Sequence, residues 1–341
     1  SATSSTPTSN QPSRTPDLAR IALVHDVAGV ASVQAKLLRG AGHEVDQIAL
    51  SQAGAAWSWP AKALAIPYRL AAYVPTIDRL RRGRYDVVHV HWLAHGIAGV
   101  LSGQPFFVQA HGSDLHLNMK NPVYRWVTRT VLKKAKLIFY VTPNLREYLK
   151  GFESKLRYLP NPVDVETLAP KTFPTEVKKV LIFARLDPIK GVDHIFPAVE
   201  RLSQLVEVTA LDWGPLAGAY RQSYSRWVRF VPPVPHGEVG PFLQQFDVVI
   251  GQMHQGILSL SEIEALATGR PVITGIDGTL YEEDPPPVIA AHSPDGIIEA
   301  VQQLSADPGM FARLAQAGPD WVRRNHGLAH HLELLEASYF S

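Results

Sequence analysis

Val180-Leu-Ile-Phe-Ala-Arg-Leu-Asp-Pro-Ile-Lys-Gly191 is the stretch whose reading decides the fold. Its first five residues are uniformly apolar, which suits a strand buried on both faces of a parallel sheet rather than one with a solvated side. Asp187-Pro188 then turns the chain, and Lys190 stands where the next helix should begin. The strand therefore delivers Arg185 and Lys190 at its carboxyl end, beside a helix amino terminus. A guanidinium fork, an ammonium point charge and free amides together make an anion site, and a diphosphate is its natural guest. Taken alone, the same R-x4-K spacing also suits two solvated surface cations.

Outward from this stretch, short β-branched runs alternate with segments of helical period, the pattern of parallel strands joined by crossover helices. Upstream, strands are expected at Arg20 to Asp26, Glu44 to Leu50, Val87 to His91, Phe106 to Gln109, Leu137 to Val141 and Leu156 to Leu159, with a helix over Val30 to Gly40. Asn161 to Thr175, with Pro162, Pro170 and Pro174, reads as a linker without regular structure. Downstream, strands are expected at Val180 to Ala184, Val206 to Ala210, Trp227 to Val231, Val248 to Ile250 and Val272 to Thr274, with helices near Val192 to Leu205, Leu260 to Ala267 and Pro294 to Leu304. The expectation is an α/β protein of two Rossmann-like doubly wound domains, over 19–165 and 166–325, facing a cleft between the carboxyl ends of their sheets. A leader over 1–18 reads as disordered, being rich in Ser, Thr and Pro. A final helix over 326–341 follows no further strand and should pack across the domains.

Composition agrees with two soluble domains: 341 residues, 46% hydrophobic and 19% charged, against roughly 150 residues per domain. With no cysteine, disulfides, thiolate nucleophiles and cysteine-ligated metals are excluded. No apolar run reaches the roughly 18 to 20 residues of a bilayer crossing, because the best candidate is interrupted by His89, His91 and His95. Residues 1–170 carry 20 Lys+Arg against 11 Asp+Glu, a balance of +9, whereas 171–341 stand at −7. A basic half attracts nucleic acid, anionic lipid or a phosphorylated substrate. No helix-turn-helix, zinc-finger or RNA-reading signature accompanies the charge, so nucleic acid is set aside.

The second motif is Gly256-Ile-Leu-Ser-Leu-Ser-Glu-Ile-Glu-Ala-Leu-Ala-Thr-Gly-Arg-Pro271. Ser259 and Glu262 have capping-box spacing, so Ser259 should cap a helix whose first amides face the cleft. Glu264 could accept both hydroxyls of a ribose, as acidic residues do in other dinucleotide folds. It could equally do no more than favour the helix dipole.

Together these segments resemble the carboxyl-terminal domain of retaining GT-B glycosyltransferases of family 4, with their G-R-x4-K-G and E-x7-E-A-x-A-x-G-x-P-V-V patterns. The matching residues are Ala184-Arg185, Lys190-Gly191, Glu264-Ala265, Ala267, Gly269 and Pro271-Val272-Ile273. Asp86 to Trp92, His111-Gly-Ser-Asp114, Val141 to Asn144 and Pro160 to Asp164 resemble amino-terminal landmarks of the same family.

The resemblance implies transfer of a sugar from a nucleoside-diphosphate-sugar, UDP or GDP type, with retention of anomeric configuration and no cofactor or metal. It implies that Arg185 and Lys190 neutralise the diphosphate, that Glu264 holds the ribose and that amides of Leu258, Ser259 and Leu260 face the distal phosphate. Gly29 would belong to the amino-terminal glycine loop, and the base would lie by the backbone around Val234. His111 would lie by the transferred sugar, with Asp114 on the acceptor side. The chain departs from the pattern at Gly256, where the family carries its first Glu, so His254 or Gln255 would supply the sugar contact.

The acceptor, whether a sugar, a lipid-linked molecule or a small molecule, should bind the basic first domain. Arg79, Arg81, Arg82 and Arg84 follow Trp57, Trp59, Tyr68 and Tyr73, while Arg125, Arg129, Lys133, Lys134 and Lys136 accompany Trp126. Such mixtures suit an anionic membrane surface, and they also suit amphipathic helices whose aromatics face the core. The expected location is cytoplasmic, peripheral to the membrane at most. A non-catalytic nucleotide-sugar-binding module and a GT-B nucleotide-sugar epimerase are the competing readings.

Overall fold

The computed structural model describes residues 18–50, 71–116 and 121–341. The expected leader apart from Leu18, and Trp57, Trp59 and Tyr68, lie outside the described residues. Six strands, β1 (Arg20–Val24), β2 (Glu44–Ile48), β3 (Val87–His91), β4 (Phe107–Ala110), β5 (Ile138–Tyr140) and β6 (Leu156–Tyr158), form a first sheet in the order β2-β1-β3-β4-β5-β6. A second sheet follows from β7 (Lys179–Ile182), β8 (Glu207–Leu211), β9 (Arg229–Val231), β10 (Val248–Ile250), β11 (Val272–Thr274) and β12 (Val288–Ala290), ordered β12-β11-β10-β7-β8-β9. Every pairing is parallel. β3, β10 and β11 are buried along their whole length, as parallel strands covered by helices on both faces must be. The strand order reverses between β1 and β3 in the first sheet and between β7 and β10 in the second. Ligands of such sheets bind outside the carboxyl ends of these strands.

The linker and the edge of the second sheet depart from the expectation. The linker holds one helical turn, Val165–Leu168, capped by Asp164 through the Thr167 amide at 3.2 Å, because the seven proline-free residues between Pro162 and Pro170 leave room for it. β12 follows directly on a run of three prolines that masks its three apolar residues in sequence.

A helix over Pro308–His326 packs against Leu260–Ala267 at close range, since a Cβ at Gly318 would stand 2.7 Å from the Leu266 carbonyl oxygen. Gly327 then lets the chain turn into Leu328–Tyr339, which returns to the first sheet. There Leu335 and Tyr339 join Ile21, Leu23, Leu38, Phe107 and Phe139 in one core cluster. His331 reinforces this dock, with Nδ1–H donating to the Pro160 carbonyl at 2.8 Å and Nε2 lying 3.1 Å from the Gln34 amide. Among the described residues no helix is long and apolar enough to cross a membrane.

Candidate active site in the interdomain cleft

A cavity of about 320 Å³ opens between the sheets. His111 and Gly112 line it from the first sheet, and Lys190, Gln255, Leu258 and Ser259 from the second. A neighbouring cavity of about 340 Å³ is lined by Gly29, Glu264 and His236. Leu260 and Asn161 border both, so the two are adjacent.

On the second-sheet side, Asp187 fixes the turn after β7 by accepting from the Ile189 amide at 3.1 Å. Lys190 follows in a short 3-10 turn and donates to Gln255 Oε1 at 2.9 Å. Burial lowers the Lys190 pKa, opposed by the nearby Glu262 and Asp187 carboxylates and assisted by the Arg185 charge. Arg185 itself is half-exposed, 3.3 Å from Asp187 Oδ2 and stacked over Trp213 at 5.9 Å. It approaches Lys190 without lining either cavity.

The expected capping box forms: Glu262, buried, accepts from the Ser259 amide at 2.9 Å and from the Ser259 hydroxyl, and its other oxygen accepts from the Gln252 amide at 2.7 Å. The Leu258 amide donates to the Tyr281 hydroxyl at 3.0 Å. Of the three amides expected to face a phosphate, those of Leu258 and Ser259 are thus occupied, and Leu260, the first residue of the helix, keeps an N–H with no intrahelical acceptor. Tyr281 was not legible from sequence, because nothing local in its loop signals this partner. Glu264 is buried, and burial pushes its carboxyl up to about 7, with His236 Nδ1 at 3.5 Å.

Gly256 is fixed by the backbone. Its φ is +68°, its carbonyl accepts from the Asp277 amide at 2.9 Å, and a Cβ would stand 3.3 Å from that of Asp277. Of its two neighbours, Gln255 faces the cavity. His254 turns away: Nδ1 contacts the Pro188 carbonyl at 3.2 Å and Nε2 faces Asp193, so the ring expected to contact the sugar lines neither cavity. Val234 packs against the core of the second sheet, also outside both cavities.

On the first-sheet side, Gly29 takes φ +81° at the amino end of Val30–Gly40, where Asp26 accepts from the Ala31 amide at 3.0 Å. His111 follows β4 at the cavity edge, 3.2 Å from His91 Nδ1 through Nε2. His91 stacks on His89 with centroids 4.6 Å apart, and His89 Nδ1 meets the Tyr339 hydroxyl at 2.6 Å. Burial lowers the pKa of His89 and His111 to about 3 and that of His91 well below its usual value, so the column is neutral. No carboxylate completes a metal set around His89 and His91 among the described residues.

Asp114, expected on the acceptor side, is fully buried and accepts from the amides of Leu93 (3.0 Å), His111 (3.1 Å) and Gly112 (2.9 Å). Burial nevertheless raises its pKa to about 6. It holds the His111 loop from within the fold and lines neither cavity.

Elsewhere on this domain, the helix Pro122–Lys134 points its aromatics outward. Trp126 is 66% exposed and Val123 62%, alongside Arg125, Arg129, Lys133 and Lys134. The helix is amphipathic, with Thr128, Val131 and Leu132 buried, but Trp126 does not face the core as the alternative expected, whereas Tyr73 of the other segment packs against the first-sheet core.

The site joins a neutral wall carrying His111 to one carrying Lys190 across the cleft, and the comparisons with known proteins identify the class. A profile described as Glycosyltransferase Family 4 matches residues 30–167, and one described as Glycosyl transferases group 1 matches residues 177–307. Together they span most of the chain, which belongs to the GT-B glycosyltransferases built from these two domains. A D-inositol 3-phosphate glycosyltransferase of Streptomyces bingchenggensis is 24% identical over 300 residues, covering 74% of this chain and 64% of that relative. The chain thus spans slightly under two thirds of that protein's length. A GDP-mannose-dependent alpha-(1-6)-phosphatidylinositol monomannoside mannosyltransferase of Mycolicibacterium smegmatis is 26% identical over 303 residues, covering 76% and 78%. Among solved structures, sucrose-phosphate synthase (tll1590) of Thermosynechococcus elongatus superposes with a TM-score of 0.73 at 18% identity, covering 94% and 98%. Anabaena Alr3699/HepE in complex with UDP and glucose gives 0.70 at 13% identity, covering 94% and 99%.

Proposed function

We propose that this chain transfers a sugar from a UDP- or GDP-type nucleotide sugar to a hydroxyl acceptor, with retention of configuration and without a metal. The observation that carries the reading is the cavity that His111 and Lys190 line from opposite domains. Breaking the anomeric bond separates an oxocarbenium-like sugar from a diphosphate, and fixed positive charge beside the leaving group lowers that barrier. Lys190 supplies this charge from within the cavity. Arg185 joins it by leaving Asp187 when the donor arrives. Glu264 in the adjacent cavity takes the ribose hydroxyls, and the Leu260 amide faces the distal phosphate. Gly29 closes on the donor from the other domain, and the base lies toward the segment around Val234.

His111 engages His91 through Nε2, which leaves Nδ1 for a sugar hydroxyl. As the bond from C1 to the phosphate oxygen breaks, the acceptor oxygen bonds C1 from the same face and its proton passes to the departing phosphate. Gln255 stands in for the missing first Glu. The domain limits follow the same reading: 19–165 for the acceptor, 166–325 for the donor, and 326–341 docked back on the first domain. The acceptor is a polyol or lipid-linked molecule at an anionic membrane surface, which the outward Trp126 and its basic neighbours would touch; two relatives bear names that specify inositol phosphate and phosphatidylinositol acceptors.

Calorimetry with UDP, GDP and ADP on the wild type and on Lys190→Ala tests the reading, and equal affinity in both proteins would remove the diphosphate role. Gly256 favours a second reading, a module that binds donor without turnover. Donor hydrolysis or transfer by the purified chain, abolished in Glu264→Ala, would exclude it.

A further inference from the structure

Behind the loop that carries Lys190 lies a second polar cluster that takes no part in the cleft. Asp193 and His194 sit in the helical turn Val192–Ile195, and His254 follows β10. One ligand-capable atom from each lies within 4.8 Å of the other two, and none of the three lines either cavity.

The tautomers of both rings follow from their partners. His254 Nδ1 stands 3.2 Å from the Pro188 carbonyl and His194 Nδ1 3.0 Å from the His292 carbonyl. A carbonyl oxygen only accepts, so each neutral ring carries its proton on Nδ1 and leaves its lone pair on Nε2. His254 Nε2 then faces Asp193 Oδ1 at 3.7 Å. That is too long for a hydrogen bond, and two lone-pair atoms pointed at each other call for a positive centre between them. Nδ1–H held by a backbone carbonyl is also the outer-shell pattern that orients metal-binding histidines. A Zn–N bond of about 2.0 to 2.1 Å in a tetrahedron places neighbouring ligands about 3.4 Å apart, so this pair needs only a small adjustment. The His254 ring also rests on bare backbone: Gly191 has φ +66°, and a Cβ there would stand 2.7 Å from the ring. Asp193 is 59% exposed and His254 38%, so an ion reaches both.

We propose that Asp193, His194 and His254 bind a divalent cation of the zinc type, with water completing its coordination. Two imidazoles and a carboxylate suit Zn²⁺, Co²⁺ or Ni²⁺ and disfavour Mg²⁺ and Ca²⁺, which seek all-oxygen shells. The ion fastens the segment after β7 to the segment after β10, and those two segments carry Lys190 and Gln255. It is a clamp behind the donor loop, separate from the chemistry in the cleft.

The test titrates the full chain, stripped with chelator, with ZnCl₂ and with MgCl₂ by calorimetry, and follows CoCl₂ by visible absorbance. The expected result is one Zn²⁺ per chain and no Mg²⁺ binding. His194→Gln and His254→Gln should each weaken Zn²⁺ binding by about tenfold or more, and the rise in melting temperature with Zn²⁺ should vanish in the double variant. The exposed Asp193→Asn provides an arm that survives if either histidine variant misfolds. Equal Zn²⁺ affinity in wild type and variants would assign the ion to other histidines and overturn the site. So would an absence of Zn²⁺ binding.

Discussion

The first sheet brings to the cleft His111, which burial holds neutral together with the His91 and His89 rings behind it, whereas the second brings the Lys190 ammonium to the same cavity and the Glu264 carboxyl to the adjacent one. The same doubly wound architecture therefore serves opposite electrostatic ends. Its first copy keeps the His89, His91 and His111 column uncharged, and its second puts a cation on the cavity wall. What differs is the content of the loops after the strands, which is where such folds place their chemistry.

Acid should break this contrast with the largest effect. His89 and His111 have folded pKa values of about 3, His326 and His331 about 4, and His91 lies well below its usual value, each through burial. In the unfolded chain they titrate near 6.5. Between these values the unfolded state binds more protons, so stability is full above about pH 6.5 and falls as pH drops toward 4, by about 1.4 kcal/mol per pH unit for each proton. Asp114 and Glu264, raised to about 6 and about 7, act in the other direction over part of the same range. Two carboxyls oppose five histidines, so the urea midpoint should fall steadily from pH 7 to pH 5, and a flat profile would refute a neutral column. His331→Gln, which can keep the contact with Gln34, should flatten the slope.

Lys190→Ala comes next, because it removes charge from the wall that needs it. A preorganised donor of this kind contributes about 10²- to 10³-fold, so kcat/KM should fall by that order while the melting temperature stays near the wild-type value. Arg185, half-exposed and already paired with Asp187, should cost less on change to Ala, about tenfold. If the Arg185 variant proves the more damaged, the cavity-lining lysine is not the principal leaving-group contact.

That pair also shows how far the sequence could be read. The spacing of Arg185 and Lys190 after an apolar strand was legible because turn chemistry is local. Which cation faces the cavity was not, since it depends on Asp187 and Trp213 holding the guanidinium aside. The capping box of Ser259 and Glu262 was legible for the same local reason. The partners of the Leu258 amide and the burial of Asp114 depend on residues distant in sequence. His254 and Gln255 were equivalent in sequence, and the left-handed backbone at Gly256 is part of the loop geometry that separates them. The outward face of Trp126 was likewise undecidable from periodicity, because a mixed aromatic and basic helix satisfies either orientation.

Glu264 sharpens the contrast more gently. Its carboxyl, pushed up to about 7, is only partly ionised at neutral pH. A folded pKa above the ordinary value means that the charged form, the better acceptor for ribose hydroxyls, grows in as pH rises through 7. Nucleotide affinity should therefore increase several-fold between pH 6 and pH 8. Glu264→Gln should bind weakly at both pH values and lose the dependence. A wild-type affinity that does not change over this range would detach Glu264 from the ribose.

The smallest effect concerns the outer surface of the first domain, where the basic excess lies with exposed aromatics rather than with the buried column. Trp126 is mostly exposed and is not a member of the core cluster of the first sheet, so its replacement by Ala should leave melting nearly unchanged. If that face meets an anionic bilayer, sedimentation with vesicles containing phosphatidylinositol should weaken a few-fold in Trp126→Ala, and further when Arg125 and Arg129 are also changed, at about 1 kcal/mol per cation. Salt should weaken the wild type in the same manner, because the attraction acts within a Debye length. Transfer to a soluble polyol acceptor should be untouched by all three changes. Loss of that soluble activity would place the helix in the acceptor site itself instead of at the membrane.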